Sequence, residues 1–326
     1  MKQSRLIATT ALVATAGFAN ADVAVSGYAK AGLVYNSEGL TSTRMLSSAA
    51  VTFDASGESD GGLTFGFNTN YAVTNNGSVD NDDTTVYMSG AFGKMSFGAV
   101  AEADEVAGLS DIGWDGLDVD DVAEALVGDE LGDPGSFNRG ISHNVNYTYA
   151  NGPIILSVST RMDTGIGGDS LSSYAAGMKY SFGDMYVGLG HARHSFDAVP
   201  AVAAIAKQSA NVTSLFAGGS FGAIKVAALY SDASFKNGAA KSGAKAFGLN
   251  TAYTMDALTI SAGYSEANFD APRLDQKAFG IGAAYNLGGG ASISGGIASV
   301  ESVGDENQGS GKAKETRADV GVKFSF

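Results

Sequence analysis

The chain has 326 residues, a formal net charge of −14, 45 glycines, 4 prolines and no cysteine. Such a charge argues against nucleic acid as a partner, because phosphate binding rests on Lys and Arg, and the missing thiols exclude disulfides and thiolate metal sites. Scarce Pro, abundant Gly and aromatics and a mean hydropathy of +0.04 suit strands with one apolar and one polar face, since Pro cannot donate to a sheet ladder.

The first 21 residues read as a cleavable export signal. "MKQSR" supplies two cations, "LIATTALVATAGFA" a short apolar stretch and Ala19-Asn20-Ala21 a small-x-small cleavage box. Removal would leave residues 22–326 and take the net charge to about −16. No later run approaches the ~18 apolar residues of a membrane helix, so an exported soluble protein and an outer-membrane barrel remain.

From residue 22 onward the chain alternates. In "LTFGFNTNYAV", Leu63, Phe65, Phe67 and Tyr71 share one face, and Thr64, Gly66, Asn68 and Asn70 the other. "SYAAGMKYSF" (173–182), "KAFGIGAAYNL" (277–287) and the terminal "RADVGVKFSF" repeat the pattern, which is the period of a strand. Sixteen strands are predicted, near 23–35, 44–55, 62–74, 83–92, 94–102, 140–150, 153–162, 172–182, 184–193, 208–221, 223–232, 244–254, 256–267, 274–287, 290–301 and 313–326.

The links alternate too. Eight longer ones, at 36–43, 75–82, 103–139, 163–171, 194–207, 233–243, 269–273 and 302–312, are separated by seven short turns, several of them one or two residues. Both termini then fall at the short-turn end. Outer-membrane barrels sort their connections in this way, and closure removes the sheet edges that hydrocarbon cannot solvate. The predicted fold is therefore all-β, a 16-stranded antiparallel transmembrane barrel, a size that leaves an aqueous lumen.

The third link departs from everything around it. Residues 103–139 hold eleven Asp or Glu, one Arg and the only Trp. "DDVAEALVG" predicts a short helix with Asp120 or Asp121 at its start, Val122, Ala125 and Leu126 on one face and Gly128 as its stop. "DIGWDG" has only part of a calcium-loop pattern: Gly113 stands where an oxygen ligand belongs, and Val122 replaces the closing Glu. An EF-hand is excluded. An irregular structural Ca²⁺ site among Asp111, Asp115, Asp118 and Asp120 remains open, and no other cofactor is expected.

"HARHSFD" places His191, His194, Ser195 and Asp197 close together in sequence, but strand neighbours point to opposite faces, so a nucleophile and its base do not meet. No HExxH or P-loop is present. An enzymatic or adhesive barrel is the least favoured reading.

With its export signal, "GYAKAGLVY" at 27–35, the long third link and the terminal "GVKFSF" ending in Phe326, the chain resembles the general porins of Gram-negative outer membranes, closest to the sixteen-strand trimeric type of alphaproteobacteria. The resemblance implies a homotrimer in contact with lipid and lipopolysaccharide, and barrel-assembly machinery that reads the strand ending in Phe326. It also implies a third external loop folded into the barrel, with its acids facing a basic wall. On this sequence the constriction acids are Asp104, Glu105, Asp111, Asp115, Asp118, Asp120, Asp121 and Glu124. The wall bases are Lys30, Arg44, Arg161, Lys179, Arg317 and Lys323, with Lys225 in the same phase.

Ser48, Ala50, Asn68 and Asn70 occupy inward positions of strands two and three where family porins carry arginines, which predicts a thinner basic wall. Charges ~8 Å apart interact by roughly 0.5 kcal/mol in water and ~2 kcal/mol at an effective dielectric of 20. Several carboxylates in a narrow opening then predict weak cation preference. A solute-selective channel of the same architecture is the alternative. Gly27, Ala29, Ala31, Ser47 and Ala49, small and outward, mark the expected subunit-facing side.

Overall fold

The computed structural model describes residues 10–11, 22–39, 41–74, 79–80, 84–128, 143–162, 171–196, 208–303 and 312–326. Sixteen strands form one closed antiparallel barrel. They are β1 (Asp22–Asn36), β2 (Thr43–Glu58), β3 (Thr64–Thr74), β4 (Thr85–Gly90), β5 (Gly93–Gly98), β6 (Val145–Asn151), β7 (Ile154–Thr160) and β8 (Leu171–Phe182), followed by β9 (Met185–Phe196), β10 (Gln208–Phe221), β11 (Ile224–Asn237), β12 (Ala240–Met255), β13 (Leu258–Phe269), β14 (Gln276–Gly288), β15 (Ala291–Val303) and β16 (Lys312–Ser325). The two-residue pieces Thr10–Ala11 and Val79–Asp80 add to the ladder beside β1 and β3. The rest of the expected signal lies outside the described residues.

Neighbours in sequence pair throughout, and β16 pairs with β1 in the register Arg317↔Asn36 and Gly321↔Gly32. The seam is finished by the last residue. Gly27 N–H donates to the Phe326 carbonyl at 2.7 Å, and Phe326 N–H returns a bond to Gly27 at 3.0 Å.

The alternation of the sequence is the alternation of the wall. Phe65, Phe67, Tyr71, Met178, Tyr180, Phe279, Ile281, Tyr285 and Phe324 are all more than a third exposed and form the outward apolar band. Their sequence neighbours face inward. At the short-turn end Gly183 and Gly222 take φ of 61° and 62°, which a side chain would strain.

Two departures from the expected boundaries shape the lumen. The long link expected at 233–243 is a two-residue turn, Gly238-Ala239, because Ala233, Phe235 and Ala244 continue the inward phase and extend the hairpin. The strand expected to run to residue 102 stops at Gly98, whose φ of 103° turns the chain off the wall and into the barrel.

Candidate pore constriction

Residues 99–128 leave β5 and lie on the inner wall as a hairpin. An outgoing arm, 99–113, passes β8 and β9 and crosses β12–β14. An apex at 114–118 reaches β16 and β1, and a return arm, 119–128, retraces the wall to β10 and β11. The arms carry an apolar underside: Ile112, Leu117, Val119, Val122 and Leu126 are each no more than 3% exposed, packed on Val212, Ala233, Ala246, Ala267, Ala278 and Val300 of the wall. Burying each large side chain contributes roughly 1.5–3 kcal/mol over leaving it in lumen water.

The wall is cut to receive this hairpin. A Cβ on Gly177 would strike the Ala103 carbonyl, one on Gly190 the Asp104 carbonyl, one on Gly248 the Leu109 side chain, and one on Gly321 the Trp114 ring. Those glycines clear backbone and ring that a methyl group would displace.

The apex is fastened to β16 and β1. The Asp319 carboxylate accepts the backbone N–H groups of Trp114 (2.8 Å) and Asp115 (2.7 Å), and Trp114 Nε1 donates to the Val322 carbonyl at 3.1 Å. Lys30 pairs with Asp115 and lies 5.4 Å from the centre of the Trp114 ring. Arg317 pairs with Asp118 and, through Nε, with Glu315 at 2.9 Å. Gly113 and Gly116 take φ of 96° and 87° to turn the apex back.

The eight predicted acids separate into different environments. Asp104 is buried and accepts the Gly128 N–H at 3.2 Å, closing the hairpin base, so it does not face the pore. Asp120 is buried as well. Burial, then the charge and hydrogen bond of Asp111, push its pKa up to about 9, so it is protonated at neutral pH. Glu124 cross-links the arms by accepting the Leu109 N–H at 2.6 Å. Asp115 and Asp118 are engaged by Lys30 and Arg317. Asp111 and Asp121 are exposed, and Glu105 is half-buried.

The four carboxylates named for Ca²⁺ do not form one cluster: Asp111 reaches Asp120, but among the described residues the hairpin acids whose oxygens gather as a group of three are Asp120, Asp121 and Glu124. The helix is a single turn, Asp121–Glu124. It buries Val122 and Ala123 with Leu126 beyond it, while Ala125 is only half-buried. Asp120 holds the N-cap position but makes no side-chain cap bond.

The bases spread over the height of the barrel. Lys30 and Arg317 meet the apex. Arg44 and Arg317 line a cavity of about 650 Å³ beside Asp118. Lys179 lies over the Tyr186 ring and joins Lys94, Glu102 and Glu105 around a separate cavity of about 400 Å³. Lys323 lies 5.3 Å from the Tyr28 ring centre. Arg161, just beyond β7, is the charge that adds to burial in lowering the pKa of His143 to about 4.

Sequence reasoning missed Lys94, Asp319 and the buried trio Glu102, His143 and His194. The first two were visible as charges of inward phase, whereas the trio depends on tertiary contacts alone.

The profile of the family described as Gram-negative porin matches residues 8–305. A porin of Rhodobacter capsulatus is 32% identical over 94% of this chain and all of its own length. A porin structure refined at 1.8 Å aligns with TM-score 0.70 and 29% identity, over 93% of this chain and 100% of the other. An anion-selective porin from Comamonas acidovorans shares the fold, with TM-score 0.72 at 17% identity over 94% of this chain and 100% of its own.

Proposed function

Because the chain belongs to the Gram-negative porins, we propose that its pore is narrowest between the 99–128 hairpin and the bare wall of β2–β6, and that this passage weakly favours cations. As a family member it is an outer-membrane channel for ions and small hydrophilic solutes, with no catalytic role.

The observation that carries the selectivity is which acids of the hairpin are exposed to the lumen. Lys30 and Arg317, the bases at the apex, each face an acid, Asp115 or Asp118, whereas Asp111 and Asp121 on the hairpin stay exposed to the lumen. Arg44, Lys94 and Lys179 lie at other heights and oppose them only in part. The fold does not set the sign, since the Comamonas porin reaches anion selectivity on the same barrel.

The purified protein in a planar bilayer across a KCl gradient tests this reading. A reversal potential of cation sign supports it, one of anion sign overturns it, and the absence of conductance overturns the channel.

The assembly follows from the outward face of β1 and β2. The register sets Ala29 beside Ala49 and Ala31 beside Ser47, a small-residue patch suited to a flat subunit contact in a homotrimer. Lipid and lipopolysaccharide meet the apolar band elsewhere. Removal of residues 1–21 on export and recognition of the Phe326 strand by assembly machinery complete the proposal. Native-gel migration of the same preparation reads the trimer, and a monomer there overturns it.

A further inference from the structure

We propose that Glu102, His143 and His194 form a binding site for a divalent transition-metal ion of the zinc class, fastening the start of the constriction hairpin and the residues just before β6 to the barrel wall. The residues come from three separate segments. Glu102 lies near the start of the outgoing arm, His143 stands two residues before β6, and His194 lies on the inner face of β9. One donor atom from each lies within 4.8 Å of the other two, and Glu102 Oε2 is 3.8 Å from His143 Nε2. All three are buried, at 3%, 1% and 0% exposure.

The rings are held as metal ligands are held, by hydrogen bonds to their other nitrogen. His143 Nδ1 is bonded to Ser159 Oγ at 2.6 Å, and His194 Nδ1 to Ser173 Oγ at 2.6 Å. Ser159 is itself fixed by the Ala103 N–H at 2.7 Å, and Ser173 Oγ also reaches His143 Nε2. This leaves His194 Nε2 fully buried and, among the described residues, with no hydrogen-bond partner. A buried polar atom without a partner is costly, and a metal ion is one group that would satisfy a bare imidazole lone pair.

The donor set selects the ion. Two imidazoles and one carboxylate suit Zn²⁺ and its first-row neighbours, whereas Ca²⁺ and Mg²⁺ take all-oxygen sites. Zinc–ligand bonds of ~2.0–2.1 Å imply donor separations of about 3.3 Å in a tetrahedron, so the three side chains close by an ångström or so around the ion. Glu102 lines the inner-face cavity of about 400 Å³, which supplies the route in. The consequence for the pore is mechanical: the ion would join the hairpin's first residues, the lead-in to β6 and the wall in one place.

The test uses untagged, chelator-stripped full-length porin in detergent, titrated with Zn²⁺ by calorimetry and with Co²⁺ by visible absorption. One ion per chain is expected, with Co²⁺ bands showing nitrogen ligation. E102Q and H194Q should each weaken binding by about tenfold or more. H191Q should change nothing, because His191 is exposed and bonded to Thr213. No stoichiometric uptake, uptake indifferent to E102Q and H194Q, or displacement of Co²⁺ by equimolar Ca²⁺ overturns the proposal. Should H194Q fail to reach the folded trimer, E102Q, nearly isosteric and off the strands, decides the matter alone.

Discussion

The inner surface of this barrel is two surfaces. Under the hairpin, β10–β15 present Ala210, Val212, Ala233, Ala246, Gly263, Ala267, Gly280, Ala298 and Val300. Across the lumen, β2–β6 present Arg44, Ser48, Thr52, Asp54, Asn68, Asn70, Thr85, Lys94, Ser96, Asn146 and Thr148 at positions of the same inward phase. The first set gains by excluding water beneath a packed segment, and the second by keeping it. An inward position in a porin strand therefore has no fixed chemistry; it depends on whether the loop lies over it.

The largest effect should come from placing one side chain on each surface. Leucine at Gly190 has no room beside the Asp104 carbonyl, and overpacking of this kind costs about 1–3 kcal/mol. Gly190→Leu should lift the base of the hairpin and raise single-channel conductance. Ser96→Leu, on the bare wall and lining its cavity, should lower conductance by occupying the passage. Opposite signs in the same planar-bilayer assay are expected; equal signs would mean that the two walls do not differ as described.

A smaller effect separates anchoring from lining. Lys30 and Asp115 are mostly buried, with side chains 6% and 15% exposed, and removing one partner of such a pair costs up to about 3 kcal/mol because a charge is left unmatched. Lys30→Met should lower the thermal unfolding temperature and increase open-channel noise. The double variant Lys30→Met/Asp115→Leu should recover most of the loss. If the double variant is no better than the single one, Lys30 acts by packing on Trp114 and not by pairing.

The sequence made the bare wall legible and the covered wall much less so. Period-two alternation placed all sixteen strands, and Asn68 and Asn70 were recognised as inward, because a wet face and a lipid face differ in polarity at every second residue. Alternation says nothing of what lies over an inward glycine, so Gly177, Gly190 and Gly321 read as ordinary strand residues. The acids of the third link were read as a group because their density is local. Their division into a hairpin closure (Asp104), a shared proton (Asp120) and apex pairs (Asp115, Asp118) is set by partners far away in sequence, such as Asp319, at a separation of 204 residues from Asp115. The turn at 238–239 failed for a related reason: Gly, Ala and Lys in "KNGAAKSG" read as loop composition, while Ala233 and Ala244 belonged to the apolar seat of the hairpin.

The smallest effect tests the seam between the two surfaces, where Asp120 lies buried beside the water-exposed Asp111. Its pKa rises from 3.8 to about 9, chiefly through burial and then through Asp111, Asp121 and Glu124. Between those two values the folded hairpin keeps a proton that the unfolded chain releases, so stability falls as pH rises across that window. Asp120's contribution to docking is thus fully favourable below about pH 4 and declines steadily toward pH 9, above which the carboxylate ionises against three acidic neighbours. Open-channel noise should accordingly grow from acidic to alkaline pH. Asp120→Asn keeps a hydrogen-bonding side chain of the same size without a titrating proton, and it should flatten that profile while leaving conductance at acidic pH unchanged. A variant whose noise still climbs with pH as steeply as the parent's would take the pH response away from Asp120 and from the underside of the hairpin.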